Sequence, residues 1–448
     1  MSQGASNVIR NPALRTCLLF SVALAATGCG TLENLHRCRS ADPDTRIAGC
    51  TAVIQSGEVK KENLDLIYNY RGTAYSRKGN HALAIQDFSE AIRLNPNYAN
   101  FYRNRGHEYY EERDYDLAIQ DFNDAIRLSP NDANAYYDRG NAYGGRGRAD
   151  DNKNDYDHAI QDYNQAIQDY SEAIRRNPKY AFAYYGRGLA YDSRGIERDN
   201  RDDYDRAIQD YNETIRLSPN HAGAYTYRGL AYAHKGDYDQ AIQNFNEATR
   251  LNPKDAVAYI GRGAAYINEG DYDRAIQDFN EAILLNPKDA VVYEARGNTY
   301  LLQSNLTAAT ADFENAISRA PTSRIAVGAA LMLHVAMKRQ GRDDARQLAQ
   351  VAAAADLTKW PGPVLKLDMG KMTAGEVMAA AANPSDERQK WHVCQANYFT
   401  GEDALFRNQR ATALTRLKAA RDGCPKWGTY AYALAELKRL GVPAAPGN

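Results

Sequence analysis

Apolar and small residues recur along most of this chain at helical spacing, and they recur in a fixed order. In residues 65–96, Tyr68, Gly72 and Tyr75 fall at i, i+4 and i+7. Ala84, Phe88 and Ala91 repeat that spacing before Pro96. Each set makes one face of an α-helix, so the stretch predicts two helices, A and B, that pack together. Gly72 and Ala84 are small enough to let them come close. Pro96 stops helix B because it lacks an N–H and clashes with the preceding turn. The same order returns six more times, for instance as Tyr259, Gly263, Tyr266, Ala275, Phe279, Ala282 and Pro287. Thr214 departs from it, standing where the fourth unit should carry Ala. Asp132, Asp255 and Asp289 closely follow three of the closing prolines and suit the N-cap of the next helix A.

The closing prolines are Pro96, Pro130, Pro178, Pro219, Pro253, Pro287 and Pro321, at spacings of 34, 48, 41, 34, 34 and 34 residues. A 34-residue period is that of the tetratricopeptide repeat, and residues 65–323 resemble that family at almost every mark. The resemblance implies an all-α fold, an α-α superhelix of about seven regular helix pairs. It also implies a concave groove, lined by the A helices, that binds extended or helical peptides. On the family register the groove positions are Arg103, Asn104, His107, Tyr137, Asp138 and Asn141, then Tyr185, Thr226 and Tyr227. They turn apolar at Val257, Ile260, Ile267, Val291, Leu301 and Leu302. Arg103, His107 and Asn141 stand near the places where one subclass of the family clamps a peptide carboxylate. The lysines of that clamp are missing here, so it is not expected.

Two spacings exceed 34, by multiples of seven, which keeps a helix face in register with only ~20° of drift per heptad. The third unit holds a tandem copy, AIQDYNQAIQDYSEAI at 159–174, which lengthens helix B, and RADDNKN at 148–154. The fourth holds IERDNRD at 196–202. Both polar stretches are expected in the turn between helices, as a protruding edge that is either a binding edge or the trace of neutral duplication. Every unit also has Arg before its Gly, at 71, 105, 139, 187, 228, 262 and 296. Every unit has Asp, or once Asn, before the helix B aromatic, at 87, 121, 162, 210, 244, 278 and 312. Seven matched pairs predict an Arg–Asp contact inside each repeat. The alternative is a ladder that binds anions.

Composition changes the picture only at a few points. The charge is balanced, with 55 basic and 56 acidic residues, which argues against a nucleic-acid binder. Tyr is abundant at 32, but fourteen of these stand at the two helix A marks, from Tyr68 and Tyr75 to Tyr293 and Tyr300, so repeat packing accounts for much of the excess. No nucleophile elbow, phosphate-binding loop or H-E-x-x-H motif occurs. The eight His are scattered, without a partner nucleophile. No catalytic residue, cofactor or metal site is expected; an enzyme with an unrecognised C-terminal site remains as an alternative.

Arg10 and Arg15 precede the short apolar run CLLFSVALAATG at 17–28, the pattern of an export signal and too short to span a bilayer permanently. ATGC at 26–29 resembles a bacterial lipobox, which implies a lipid on Cys29; an ordinary cleaved signal is the alternative. Cys38, Cys50, Cys394 and Cys424 then remain, and in an exported protein they read as disulfides, paired 38–50 and 394–424. Residues 29–64 are expected to form a linker and a capping helix, with Asp42 as N-cap and Gly57 as its end. Residues 324–448 are expected to be degenerate helix pairs around a linker with a short helix, WPGPVLKLDMGKMT. This end resembles, weakly, bacterial exported lipoproteins of the same repeat class that act as envelope adaptors. The combined expectation is a non-enzymatic scaffold on the periplasmic side of a bacterial membrane, with the outer membrane favoured. Its partners would be other envelope proteins or peptides. A factor for assembly or secretion of an envelope complex would share the fold and differ in partner.

Overall fold

The computed structural model describes residues 29–152, 155–198, 200–383, 389–424 and 429–442. The signal-like segment 1–28 lies outside them, as do residues 153–154 and 199 of the two polar stretches. The described residues form 23 α-helices and a short 3-10 turn at Lys61–Asn63. None of these helices is long and apolar enough to cross a membrane. The chain divides into two compact units after Leu217.

In the first unit, α1 (Cys29–Cys38) and α2 (Pro43–Ser56) precede the repeats. Asp42 caps α2 by accepting from the Thr45 N–H at 2.8 Å, and Gly57 ends it at a φ of 66°, where a Cβ would be strained. Helix α1 was expected only as linker. A disulfide joins Cys38 to Cys50 with Cα atoms 4.5 Å apart, and both cysteines are buried with Val53 and Ile67.

Four pairs follow. They are α3 (Leu64–Arg77) with α4 (His81–Leu94), α5 (Ala99–Glu111) with α6 (Tyr115–Leu128), α7 (Ala133–Asn152) with α8 (Tyr156–Arg176), and α9 (Ala181–Arg198) with α10 (Arg201–Leu217). Helix B starts where Asp114 or Asp155 accepts from the N–H three residues on, a cap the sequence reading passed over. The A–B contact is set by a glycine against an aromatic ring. A Cβ at Gly72 would stand 2.9 Å from Phe88, and one at Gly106 would stand 2.8 Å from Phe122.

The polar stretches of pairs three and four are not turn insertions. RADDN continues α7, which runs 20 residues against 13 in α5, and α8 runs 21. IER belongs to α9 and Arg201 and Asp202 to α10. The surplus heptads therefore lengthen the helices themselves, because seven residues are close to two turns and keep the packed face aligned.

In the second unit, α11 (Ala222–Lys235) pairs with α12 (Tyr238–Leu251), α13 (Ala256–Glu269) with α14 (Tyr272–Leu285), and α15 (Ala290–Leu302) with α16 (Leu306–Arg319). Asp255 and Asp289 cap α13 and α15. After them the repeat gives way to α17 (Arg324–Arg339), buried continuously from Ala329 to Met337, and α18 (Ala345–Ala354). The expected short helix in the linker is α19 (Gly362–Asp368), which with α20 (Ala374–Ala381) after it buries Val364, Leu365, Leu367 and Val377 in the core. The chain closes with α21 (Gln389–Phe406), α22 (Arg410–Gly423) and α23 (Thr429–Arg439). Cys394 on α21 and Cys424 after α22 form a disulfide with Cα atoms 5.3 Å apart.

Candidate functional site

The first question about the repeats is whether their charges are free to bind anything. The ladder Arg residues send Nε and Nη2 to the two oxygens of one Asp on their own helix B, except Arg228, whose Nε donates to Asn244. Arg71–Asp87, Arg105–Asp121, Arg187–Asp210, Arg262–Asp278 and Arg296–Asp312 make these bonds at 2.7–2.9 Å. Most keep Nη1 for a second partner two residues beyond a ladder Asp or Asn, on the preceding helix B. These are Ser89 for Arg105, Ser171 for Arg187, Asn246 for Arg262 and Asn280 for Arg296. The guanidiniums also lie 5.3–5.7 Å from the ring of the Tyr three residues earlier, such as Tyr136, Tyr184, Tyr225, Tyr259 and Tyr293. At the Asp rungs a fork and a further bond occupy the Arg, so these rungs are staples within and between pairs and not an anion site.

One expected rung is corrected. Arg139 binds Asp169, not Asp162. Asp162 belongs to Arg146, a rung the sequence reading missed, and Arg194–Asp203 is another. Both extra rungs lie in the lengthened pairs. There the heptad copies Arg, Gly, Asp and aromatic together: a Cβ at Gly147 would meet Tyr163, and one at Gly195 would meet Tyr204.

The expected groove residues of the first unit fall into two groups. Arg103 and His107 turn to Asp138, which is buried: Nε and Nε2 lie 2.9 and 3.1 Å from its Oδ2. Asn104 donates to Asn69 at 2.8 Å. These side chains face neighbouring helices, where Arg103 Nε and Asp138 Oδ2 lie close without an aligned hydrogen bond. Tyr137, Asn141 and Tyr185 instead line a partly enclosed cavity of about 260 Å³. Tyr110, Tyr163 and Tyr170 complete its aromatic wall, and Arg148 stands on it. The Tyr170 hydroxyl donates to Asn141 Oδ1 at 2.8 Å, and the Tyr137 and Tyr170 rings meet at 5.8 Å. Burial holds the Tyr170 hydroxyl well above its usual range and pushes Tyr163 up to about 12, so both stay neutral.

In the second unit, Tyr227, Ile260 and Ile267 are half-buried. Ile260 and Ile267 lean on the Tyr266–Phe279 core. Val257 and Val291 are exposed. Leu301 does not belong to an open groove: it is 4% exposed and packs in the large core formed with α17 to α23. Beside it a buried charge cluster forms. Arg339 Nη2 donates to Glu402 at 2.9 Å and to Glu436 at 2.6 Å, and burial pushes the Glu402 carboxyl up to about 7.

Comparisons with known proteins agree with this architecture. Family profiles described as tetratricopeptide repeat match residues 66–98, 140–172, 193–256 and 256–289, and one described as TPR repeat matches 106–147 and 157–195. No curated protein matches the chain. Among solved structures, the MamA protein is 30% identical over 43% of this chain and 94% of its own, with a TM-score of 0.35. A tetratricopeptide repeat protein from Parabacteroides merdae is 20% identical over 61% and 99%, with a TM-score of 0.46. YrrB, described as a TPR protein with an unusual peptide-binding site, is 21% identical over 47% and 97%, with a TM-score of 0.36.

Proposed function

We propose that this chain, a member of the tetratricopeptide repeat family, is a non-enzymatic scaffold that holds other proteins of a bacterial envelope against the A-helix faces of its repeats. One observation carries the reading. The ladder pairs the recurring Arg and Asp of the array, while the A helices keep a tyrosine-lined cavity and the exposed Val257 and Val291. Residues so placed supply contact area for a partner and no reacting group.

The envelope location rests on different grounds. Arg10, Arg15 and the apolar run to Gly28 have the form of an export signal. Two disulfides belong to an oxidising compartment. Cys29 would carry the lipid and become the mature N-terminus, with the outer membrane as the favoured site. A stable hold there needs more than one acyl chain.

The test is a crosslinked capture with the full-length chain in its own envelope, compared with a Val257→Glu, Val291→Glu variant. A small set of envelope proteins taken by the parent and lost from the folded variant supports the reading. The same set on both removes the second unit's A-helix face from it. Metabolic labelling with a radioactive fatty acid, abolished by Cys29→Ser, supports the anchor; labelling that persists in that variant overturns it.

A further inference from the structure

The array contains seventeen glycines between residues 65 and 323, and fifteen of them have a structural reason to be glycine. Gly79, Gly236 and Gly270 take positive φ. Twelve others sit where a Cβ would come within 3.0 Å of an aromatic ring. Gly144 does neither. Its nearest neighbours would be Arg148 Nη1 at 3.7 Å and the Tyr170 hydroxyl at 3.8 Å, ordinary contact distances. Gly144 stands two residues before a ladder Arg. The same place holds Tyr137 and Tyr185 beside Arg139 and Arg187. Glycine there leaves out a large side chain, and what is left is the cavity of about 260 Å³.

The lining limits what can enter. The volume lies just below the ~300 Å³ at which sites for whole small molecules begin, so it suits one large side chain. Five of the eleven lining residues are tyrosines, whose rings favour a planar ring in edge or offset contact. Arg148 carries the only formal charge among the described lining residues. A cation would be repelled by it, so the cavity is no ammonium cage. A carboxylate next to the ring would be paired.

We propose that the Gly144 cavity binds an aromatic side chain adjacent to a carboxylate on a partner protein. This deepens the scaffold reading and rests on it. The carboxylate can come from a chain terminus or from a neighbouring acidic side chain.

Four probes separate the cases by ligand-observed NMR titration on the full-length chain: N-acetyltryptophan, N-acetyl-Trp-Asp-amide, N-acetyltryptophan amide and N-acetylleucine. At least one of the two aromatic acids should bind about tenfold more tightly than the amide and than N-acetylleucine, and the tighter acid names the source. Gly144→Phe, which restores a ring at that place, should abolish this binding. Gly144→Ala should keep it within about threefold. Arg148→Gln, a surface change, should bring the acids down to the amide. Equal binding of all four probes, or unchanged binding to Gly144→Phe, overturns the proposal. So does an absence of binding by every probe. If no probe binds while the Val257, Val291 variant still loses its captured proteins, this inference falls and the scaffold reading stands.

Discussion

The repeats and the C-terminal helices solve the burial of charge in opposite ways. In pair α13–α14 one Arg meets one Asp across a single A–B interface, with the guanidinium at 16% side-chain exposure, and the arrangement is copied from pair to pair. In α17–α23 one Arg meets two glutamates from distant helices, at sequence separations of 63 and 97, and both glutamates are 2% exposed. The first design places little at stake in each bond and sums over copies. The second concentrates its electrostatics in one place, where losing a partner leaves buried charge behind.

The largest expected effect follows from that asymmetry. Arg339→Ala strands Glu402, leaves Glu436 to Arg439 alone, and should cost about 3–5 kcal/mol, read as loss of amide protection across α17, α21 and α23 by hydrogen exchange. A ladder break should be smaller and local. Asp278→Ala should cost about 2 kcal/mol, confined to α13 and α14 in the same experiment, and protection lost well beyond them would erase the distinction.

A third test uses pH. Asp192 in α9 is buried, its Oδ1 has no hydrogen-bond partner, and burial pushes its carboxyl from the ordinary 3.8 up to about 7. The folded chain therefore holds an extra proton between those values. Stability from this group is complete below about pH 4, falls as pH rises, and is lost above about pH 7. Asp192→Asn should raise the free energy of unfolding at pH 8 by about 1–3 kcal/mol and leave it nearly unchanged at pH 4, read by chemical denaturation. An equal gain at both pH values would assign the effect to packing.

The smallest effect lies on the rung where Arg228 meets a neutral Asn244, with burial drawing the guanidinium pKa down. Asn244→Asp restores the fork found at other rungs and should add about 1 kcal/mol in a chemical denaturation series. A loss would mean that the neutral rung is the better fit there.

Legibility in the sequence follows the same divide. The pairs, their caps at Asp42, Asp255 and Asp289, and most rungs were readable because repetition puts the same contact in view many times. The third pair was misread at its rung because the heptad copy offers Arg139 two chemically identical partners, Asp162 and Asp169. Only antiparallel nesting picks the outer one. The cavity was half visible. Tyr137, Asn141 and Tyr185 came from the repeat register, whereas Gly144 and Arg148 belong to the copied heptad and needed the extra rung to be placed. The Arg339 cluster had no sequence signal, since its members stand far apart and occur once. Leu301 was misplaced for the same reason: the helices that cover it lie outside the repeat.

The rung separations carry a record of how the long pairs arose. Regular pairs join Arg and Asp at a separation of 16. The third pair joins them at 30 and 16, and the fourth at 23 and 9. The series 9, 16, 23 and 30 advances by one heptad. The fourth pair, with half the surplus of the third, already closes a complete second rung. A lineage can therefore lengthen one edge of the array by a single in-frame heptad duplication at a time. Each step yields a paired, foldable protein, and a side chain omitted from the newest copy can become a site.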